Sequence, residues 1–285
     1  ICYGYEQAKD KEFLDELEQS MKPDICITAA YGQWLPKRFL AMPRLGTLNI
    51  HPSLLPRWRG ASPVQRSLEA GDNPIGVSLL YTVSKMDAGP IVSQSTYSTA
   101  PEEYATDVLP HLFGIGTNLL LDALPRVVSG DMSMDDATTQ NEEEVVDADK
   151  IEVEEGLLRV WQDDATVCHN KVRAFSDWPG TYMYFRIGDD DEKEAVEPVR
   201  VKVIQSRVVP PEQLEEDVDE KQPSVDASVV KLGKNKKDGL MVTCADGSVL
   251  ELLQVQPATK KVMDARSYVN GLRGQQIQWV ETDSK

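Results

Sequence analysis

The run from Gly46 to Gly71, GTLNIHPSLLPRWRGASPVQRSLEAG, leaves few choices of fold. Thr47 to Ile50 is a short apolar strand, and side chains alternate along a strand, so Asn49 and His51 project from one face at its carboxyl end. Pro52 and Pro56 stiffen the turn that follows, and Arg57-Trp58-Arg59-Gly60 makes a basic, aromatic loop. A helix then begins with Ser62 as its cap, Pro63 at its first position and Gln65 three residues after the cap, and Gly71 lies past its end. Strand, irregular polar loop and helix, in that order, form the unit in which open α/β sheets hold their ligands.

The flanking chain repeats that pattern. Phe13, Leu14, Leu17 and Met21 fall at helical spacing, and Asp24 to Gly32 reads as a buried strand ending in a glycine turn. A short helix is predicted over 36–42. Strands over 76–83 and 91–98 turn on Met86-Asp87-Ala88-Gly89-Pro90 into a hairpin. From Thr106 to Val128 leucines recur at helical spacing until Ser129-Gly130-Asp131 stops them. Composition then shifts to an acidic, polar stretch with few large apolar residues. Beyond it come short strand-like runs at 156–161, 181–187, 199–209, 240–245 and 249–256, with helices near 165–175 and 264–272. That spacing favours a small β-barrel. The predicted organisation is a catalytic domain over 1–130, an acidic linker over 131–150, and a barrel domain over 151–285 with an acidic insertion at 210–228.

With 285 residues the chain can bury one or two cores, and its length suggests two domains. A formal charge of −17 excludes polyanion binding through bulk charge, so any nucleic-acid contact needs a local basic patch. Cys2, Cys26, Cys168 and Cys244 stand far apart, without metal-site spacing, and read as structural thiols. No apolar run is long enough to span a bilayer.

Only three histidines occur. His111 and His169 sit in predicted helices and read as structural, whereas His51 occupies a rigid loop beside Asn49. Singly, an Asn-x-His and a turn aspartate such as Asp87 are ordinary. Together, an amide donor, an imidazole and a carboxylate at the ends of two strands are the parts of an acyl transfer. No Gly-x-Ser-x-Gly elbow and no cysteine near His51 offers a nucleophile, which favours direct attack by a substrate amine. Neither a P-loop nor a GxGxxG is present.

At Asn49 to Pro56, Arg57 to Arg66 and Met86 to Gly89 the chain resembles the 10-formyltetrahydrofolate-dependent formyltransferases. Ala29-Ala30-Tyr31-Gly32, Leu35-Pro36-Lys37, Arg173-Ala174-Phe175, Trp178-Pro179 and Leu253 to Met263 extend the likeness over nearly the whole chain and point to the tRNA-directed members. The resemblance implies an α/β fold: a Rossmann-like formyltransferase domain followed by a small OB-like β-barrel that helps bind tRNA. Family members begin with further strands and a helix that are not seen before Ile1, so the first domain is expected to be incomplete at its N-terminus.

The resemblance also implies roles. Asn49 holds the formyl oxygen as it becomes an oxyanion, His51 passes a proton from the amine to the folate nitrogen, and Asp87 sets the tautomer of His51. Ser53, Leu54, Leu55 and Pro56 match the segment that lines the tetrahydrofolate site. The donor is 10-formyltetrahydrofolate, without a metal, and the acceptor is initiator methionyl-tRNA. Lys231, Lys234, Lys236, Lys237, Lys260, Lys261, Arg266 and Arg273 offer a phosphate-contacting stripe. Met86-Asp87-Ala88-Gly89-Pro90 replaces the family's commoner Leu-Asp-Thr-Gly-Asp but keeps Asp87. We expect a monomer without membrane contact, and the acidic stretches favour an organellar enzyme, mitochondrial first and plastid second, over a compact bacterial one. A folate hydrolase domain, an amino-sugar formyltransferase and a silent binding remnant stay open on the residues alone.

Overall fold

The computed structural model describes residues 8–188, 197–213, 228–235 and 237–282. Most of the insertion expected at 210–228, together with Lys236 and Cys2, lies outside the described residues. The chain forms two compact units, one built from residues up to Ser67 with 72–100 and 107–150, the other from 68–71, 101–106 and the chain from Ile151 on.

The first unit is a four-stranded sheet of β1 (Cys26–Ala29), β2 (Thr47–His51), β4 (Ile75–Tyr81) and β5 (Ile91–Tyr97), with β3 (Arg57–Gly60) outside it. β1 and β2 run parallel, with Thr28 opposite Asn49, and β4 and β5 add antiparallel. All seven residues of β4 are buried, which suits the apolar run that predicted it. Helices α1 (Lys11–Glu16), α2 (Lys37–Leu40), α3 (Pro63–Glu69) and α4 (Ala105–Ser129) accompany the sheet. Val108, Leu112, Leu120, Ala123 and Val127 make the buried face of α4. Gly116 lets α4 approach β2 closely, because a Cβ there would lie 2.3 Å from Ile50 Cγ2. Burying Leu48 and Ile50 under such cover contributes about 1.5–3 kcal/mol each, which fixes the strand that carries Asn49 and His51.

The acidic segment at 131–150 does more than connect. Ile91 and Thr138 exchange backbone hydrogen bonds of 2.8 and 2.9 Å, and β6 (Val146–Ala148) pairs in parallel with β3. The pairing needs a glycine at position 60, where φ is +131° and a Cβ would stand 2.6 Å from the Ala148 carbonyl oxygen.

The second unit is a seven-stranded antiparallel sheet of β7 (Thr181–Ile187), β8 (Val199–Val208), β9 (Lys231–Leu232), β10 (Leu240–Thr243), β11 (Val249–Pro257), β12 (Met263–Asp264) and β13 (Ile277–Trp279). Its order is β13-β7-β8-β11-β10-β9, with β12 on β11. A bridge between Val229 and Gln278 brings the two end strands together, so the sheet is a nearly closed, OB-like barrel. Leu158, Phe185, Val201, Leu240, Leu250 and Val255 fill its core. Helices α5 (Ala165–Ala174) and α6 (Ala265–Asn270) are capped by Asp164 and Asp264, which accept from Val167 N at 2.8 Å and Ser267 N at 2.7 Å.

One predicted strand does not form. Residues 156–161 follow a 3-10 turn at Val153–Gly156 and make one bridge, Leu157 to Tyr182. Leu157, Leu158 and Val160 are buried as their apolarity requires, but Leu157 N bonds locally to Glu154 O and Leu158 N reaches β7 at Tyr182 O, one bridge in place of a ladder.

Candidate active site

β2 ends at a cleft of about 440 Å³ whose wall includes Thr28, Tyr31, Trp34, Asn49, His51 and Asp87. Asn49 is half-buried, and the register of β1 places the Thr28 hydroxyl beside it, donating to Asn49 Oδ1 at 2.9 Å. With its oxygen engaged, the carboxamide has its NH2 left for the cleft, where a donor is useful. Nothing in the sequence pattern singled out Thr28. Exchanging its hydroxyl for a methyl in Thr28→Val keeps the shape and frees the amide to rotate. We expect kcat to fall about 5- to 10-fold, the worth of one hydrogen bond, with KM within about twofold by steady-state kinetics. An unchanged kcat would show that Thr28 does not orient the amide.

His51 is 4% exposed, and its two ring nitrogens have different neighbours. Nε2 lies 2.9 Å from the Trp58 carbonyl oxygen, which can only accept, so Nε2 carries a hydrogen. Nδ1 faces Asp87 Oδ1 at 3.6 Å, an ion-pair distance longer than a hydrogen bond. The Asp87 carboxylate is fixed on its other side by the Gly60 N–H, which donates to Oδ2 at 3.0 Å. The structure therefore brings Asn49, His51 and Asp87 to one cleft.

The partner of His51 was invisible in the sequence because it is a backbone carbonyl set by an unusual conformation. Trp58 has φ +67°, rare for a bulky residue. Asp72 holds it there, accepting from Trp58 Nε1 at 2.7 Å and from Arg57 Nε and Nη2 at 2.9 and 3.1 Å. Two aromatic or basic residues followed by a distant aspartate carry no such message on their own.

Ser53, Leu54, Leu55 and Pro56 stand behind the cleft, and of this loop Pro52 borders it. The Ser53 hydroxyl donates to Arg57 O at 2.8 Å, and Ser78 Oγ donates to Ser53 O at 2.6 Å and accepts from Leu55 N at 3.1 Å. Leu55 packs with Leu80 and Ile91, and Leu54 lies against Gly76. A tight loop turns its polar groups and leucines inward to satisfy them, which keeps these four from the cleft wall.

His111 packs on Tyr97 with ring centroids 4.4 Å apart. His169 lies within hydrogen-bond reach of Ser206 Oγ and Pro101 O at 3.0 and 3.1 Å, and burial pushes its pKa down. Of the basic stripe, Lys231, Lys234, Lys237, Lys260, Lys261 and Arg273 are exposed. Arg266 is committed inward, donating to the carbonyls of Gly233 and Asp238 at 2.7 and 3.1 Å. Among the described residues no His, Cys, Asp and Glu group is arranged for a metal, and no helix is long and apolar enough to cross a membrane.

Comparison with known proteins agrees with the architecture. The family model described as formyl transferase matches residues 3–124, and that of the formyl transferase C-terminal domain matches 150–273, which places both units in that class. Proteins named methionyl-tRNA formyltransferase from Lysinibacillus sphaericus and Methylococcus capsulatus are 34% and 33% identical over 90% and 88% of this chain. The chain spans 74% and 72% of their lengths. It belongs to the methionyl-tRNA formyltransferase family. Among solved structures, HypX from Aquifex aeolicus in complex with tetrahydrofolic acid is 18% identical with a TM-score of 0.60, covering 92% of this chain, and the chain spans 40% of it. A sugar N-formyltransferase from a Shewanella species is 18% identical with a TM-score of 0.50, over 61% of this chain and 69% of that one. These two share the fold.

Proposed function

We propose that this protein transfers the formyl group of 10-formyltetrahydrofolate to the amino group of methionyl-tRNA for translation initiation. The observation that carries the reading is the meeting of Asn49, His51 and Asp87 at a cleft that also presents aromatic and apolar side chains. Tyr31, Trp34, Leu35, Val64 and Phe113 offer flat apolar surface suited to a pterin ring. Asn49, His51 and Asp87 are the groups that a carbonyl substrate needs, an amide NH2, an imidazole and an acid, and among the described residues no cysteine lines the cleft.

In this reading Asn49 donates to the formyl oxygen as the amine adds to the carbon and negative charge develops. His51, its ring direction fixed by Nε2–H on Trp58, works through Nδ1, taking the proton of the attacking amine and returning it to N10 of the folate. Asp87, anchored on Gly60, keeps a negative charge beside that nitrogen while it is protonated. One C–N bond forms, the bond from the formyl carbon to N10 breaks, and the proton moves between the two nitrogens. Ser53, Leu54, Leu55 and Pro56 serve the folate site from behind, by holding the loop that carries Pro52. The exposed lysines of the second unit supply phosphate contacts to the tRNA. The reading includes a mitochondrial compartment, favoured by the acidic stretches. A source without mitochondria would remove it.

The test supplies labelled 10-formyltetrahydrofolate with methionyl-tRNA, an amino sugar or water alone. Label entering methionyl-tRNA is the expected result. Label on the sugar, or released as formate with methionyl-tRNA untouched, would overturn the reading.

A further inference from the structure

We propose that Gln140 is a positioning residue of the transfer site: its side-chain amide, locked by Arg59, holds the backbone turn that presents Asp87 to His51. The proposal rests on reading Asn49, His51 and Asp87 as the groups that act on the substrates. Gln140 lies on the acidic segment between α4 and β6, yet it is 6% exposed. All of its amide is used. Nε2 donates to the carbonyl oxygens of Asp87 at 2.8 Å and Gly89 at 2.7 Å, and Oε1 accepts from Arg59 Nε at 2.9 Å. Arg59 is 4% exposed and is itself held by Glu142 Oε1, 3.0 Å from Nη2.

Such a clamp has work to do at this turn. Asp87 has φ +47°, a left-handed conformation that a non-glycine residue keeps only when its surroundings impose it. Gly89 presses against the sheet, where a Cβ would fall 1.6 Å from Tyr81 O, so the turn cannot slide to find a relaxed form. Two carbonyls two residues apart need two donors on one nitrogen, which an amide supplies and a carboxylate or an alkyl group does not. β3 then grips Asp87 at both ends. The Arg59 side chain reaches its backbone through Gln140, and the Gly60 N–H reaches its carboxylate. None of these groups borders the cleft except Gly60 and Asp87, so Gln140 acts through Asp87 and not on substrate.

Gln140→Glu keeps the length and the acceptor for Arg59 but turns an oxygen on the two carbonyls. We expect kcat for formyl transfer to fall about 10- to 100-fold, with KM for both substrates within about twofold. The decisive readout is the double-mutant cycle. In an Asp87→Asn background, Gln140→Glu should cost less than about twofold more, because the group it positions is already gone. Should Gln140→Glu not fold, Gln140→Met has the same length, no charge and no donor, and is read in the same way. A kcat unchanged in either folded variant, or costs that multiply fully in the cycle, overturns the proposal while leaving the transfer activity standing. A wild-type protein that moves no label overturns both.

Discussion

Asn49→Ala should lower kcat for formyl transfer by about 100- to 1000-fold, or roughly 3–4 kcal/mol, the cost of deleting one oxyanion donor from a preorganised site. The size follows from the preorganisation of Asn49. Its NH2 group is the side-chain donor that β2 aims at the cleft, oriented by a hydroxyl from the neighbouring strand at no cost at the moment of reaction. The strand itself is pinned by Leu48 and Ile50 on its buried face, so truncating a half-buried side chain on the other leaves the fold intact. The loss should therefore appear in the chemical step, with folate affinity nearly unchanged. Single-turnover transfer with labelled donor at saturating methionyl-tRNA measures it. A fall of less than about fivefold would mean that the oxyanion is held elsewhere, since a real donor is worth about 100-fold or more.

How much of this site could be read from residues alone depends on the range over which each part is determined. β2, the hairpin of β4 and β5, and α3 and α4 follow from local signals: alternation, a capped start with Pro63, a helical leucine period. Asn49 and His51 share a face because a strand alternates, and Asp87 sits at a turn because Gly89 and Pro90 follow it. The supports were hidden because they are long-range or written in backbone. Gln140 lies 53 residues from Asp87, inside a stretch whose acidic average says linker, and one buried amide does not change an average. Trp58 contributes a carbonyl and a left-handed φ, neither of which a side chain announces. At 156–161 the apolar residues Leu157, Leu158 and Val160 told burial correctly and secondary structure wrongly, since so short an apolar run has no period with which to distinguish a strand from a packed coil.

His51→Ala should be as damaging, reducing kcat by about 100- to 10,000-fold, the range for deleting a positioned general acid–base group. Three features set that expectation. The ring is nearly buried and its Nε2–H is committed to the Trp58 carbonyl, so Nδ1 is the nitrogen through which protons pass. Asp87 stands 3.6 Å from that nitrogen and is itself held by Gly60, so a positive charge on the ring has a fixed counter-charge. The third feature is what the substitution leaves behind: an unpartnered Trp58 carbonyl and an emptied ring site, a destabilisation of about 1–3 kcal/mol that a thermal melt should register. Folate binding, which draws on the apolar walls, should persist, and added imidazole should recover part of the lost rate by occupying the vacated space. Because His51 and Asp87 act on one proton, Asp87→Asn should cost little more once His51 is gone. A His51→Ala enzyme that transfers formyl within about tenfold of wild type would remove proton transfer from the imidazole and return it to solvent or to the substrates themselves.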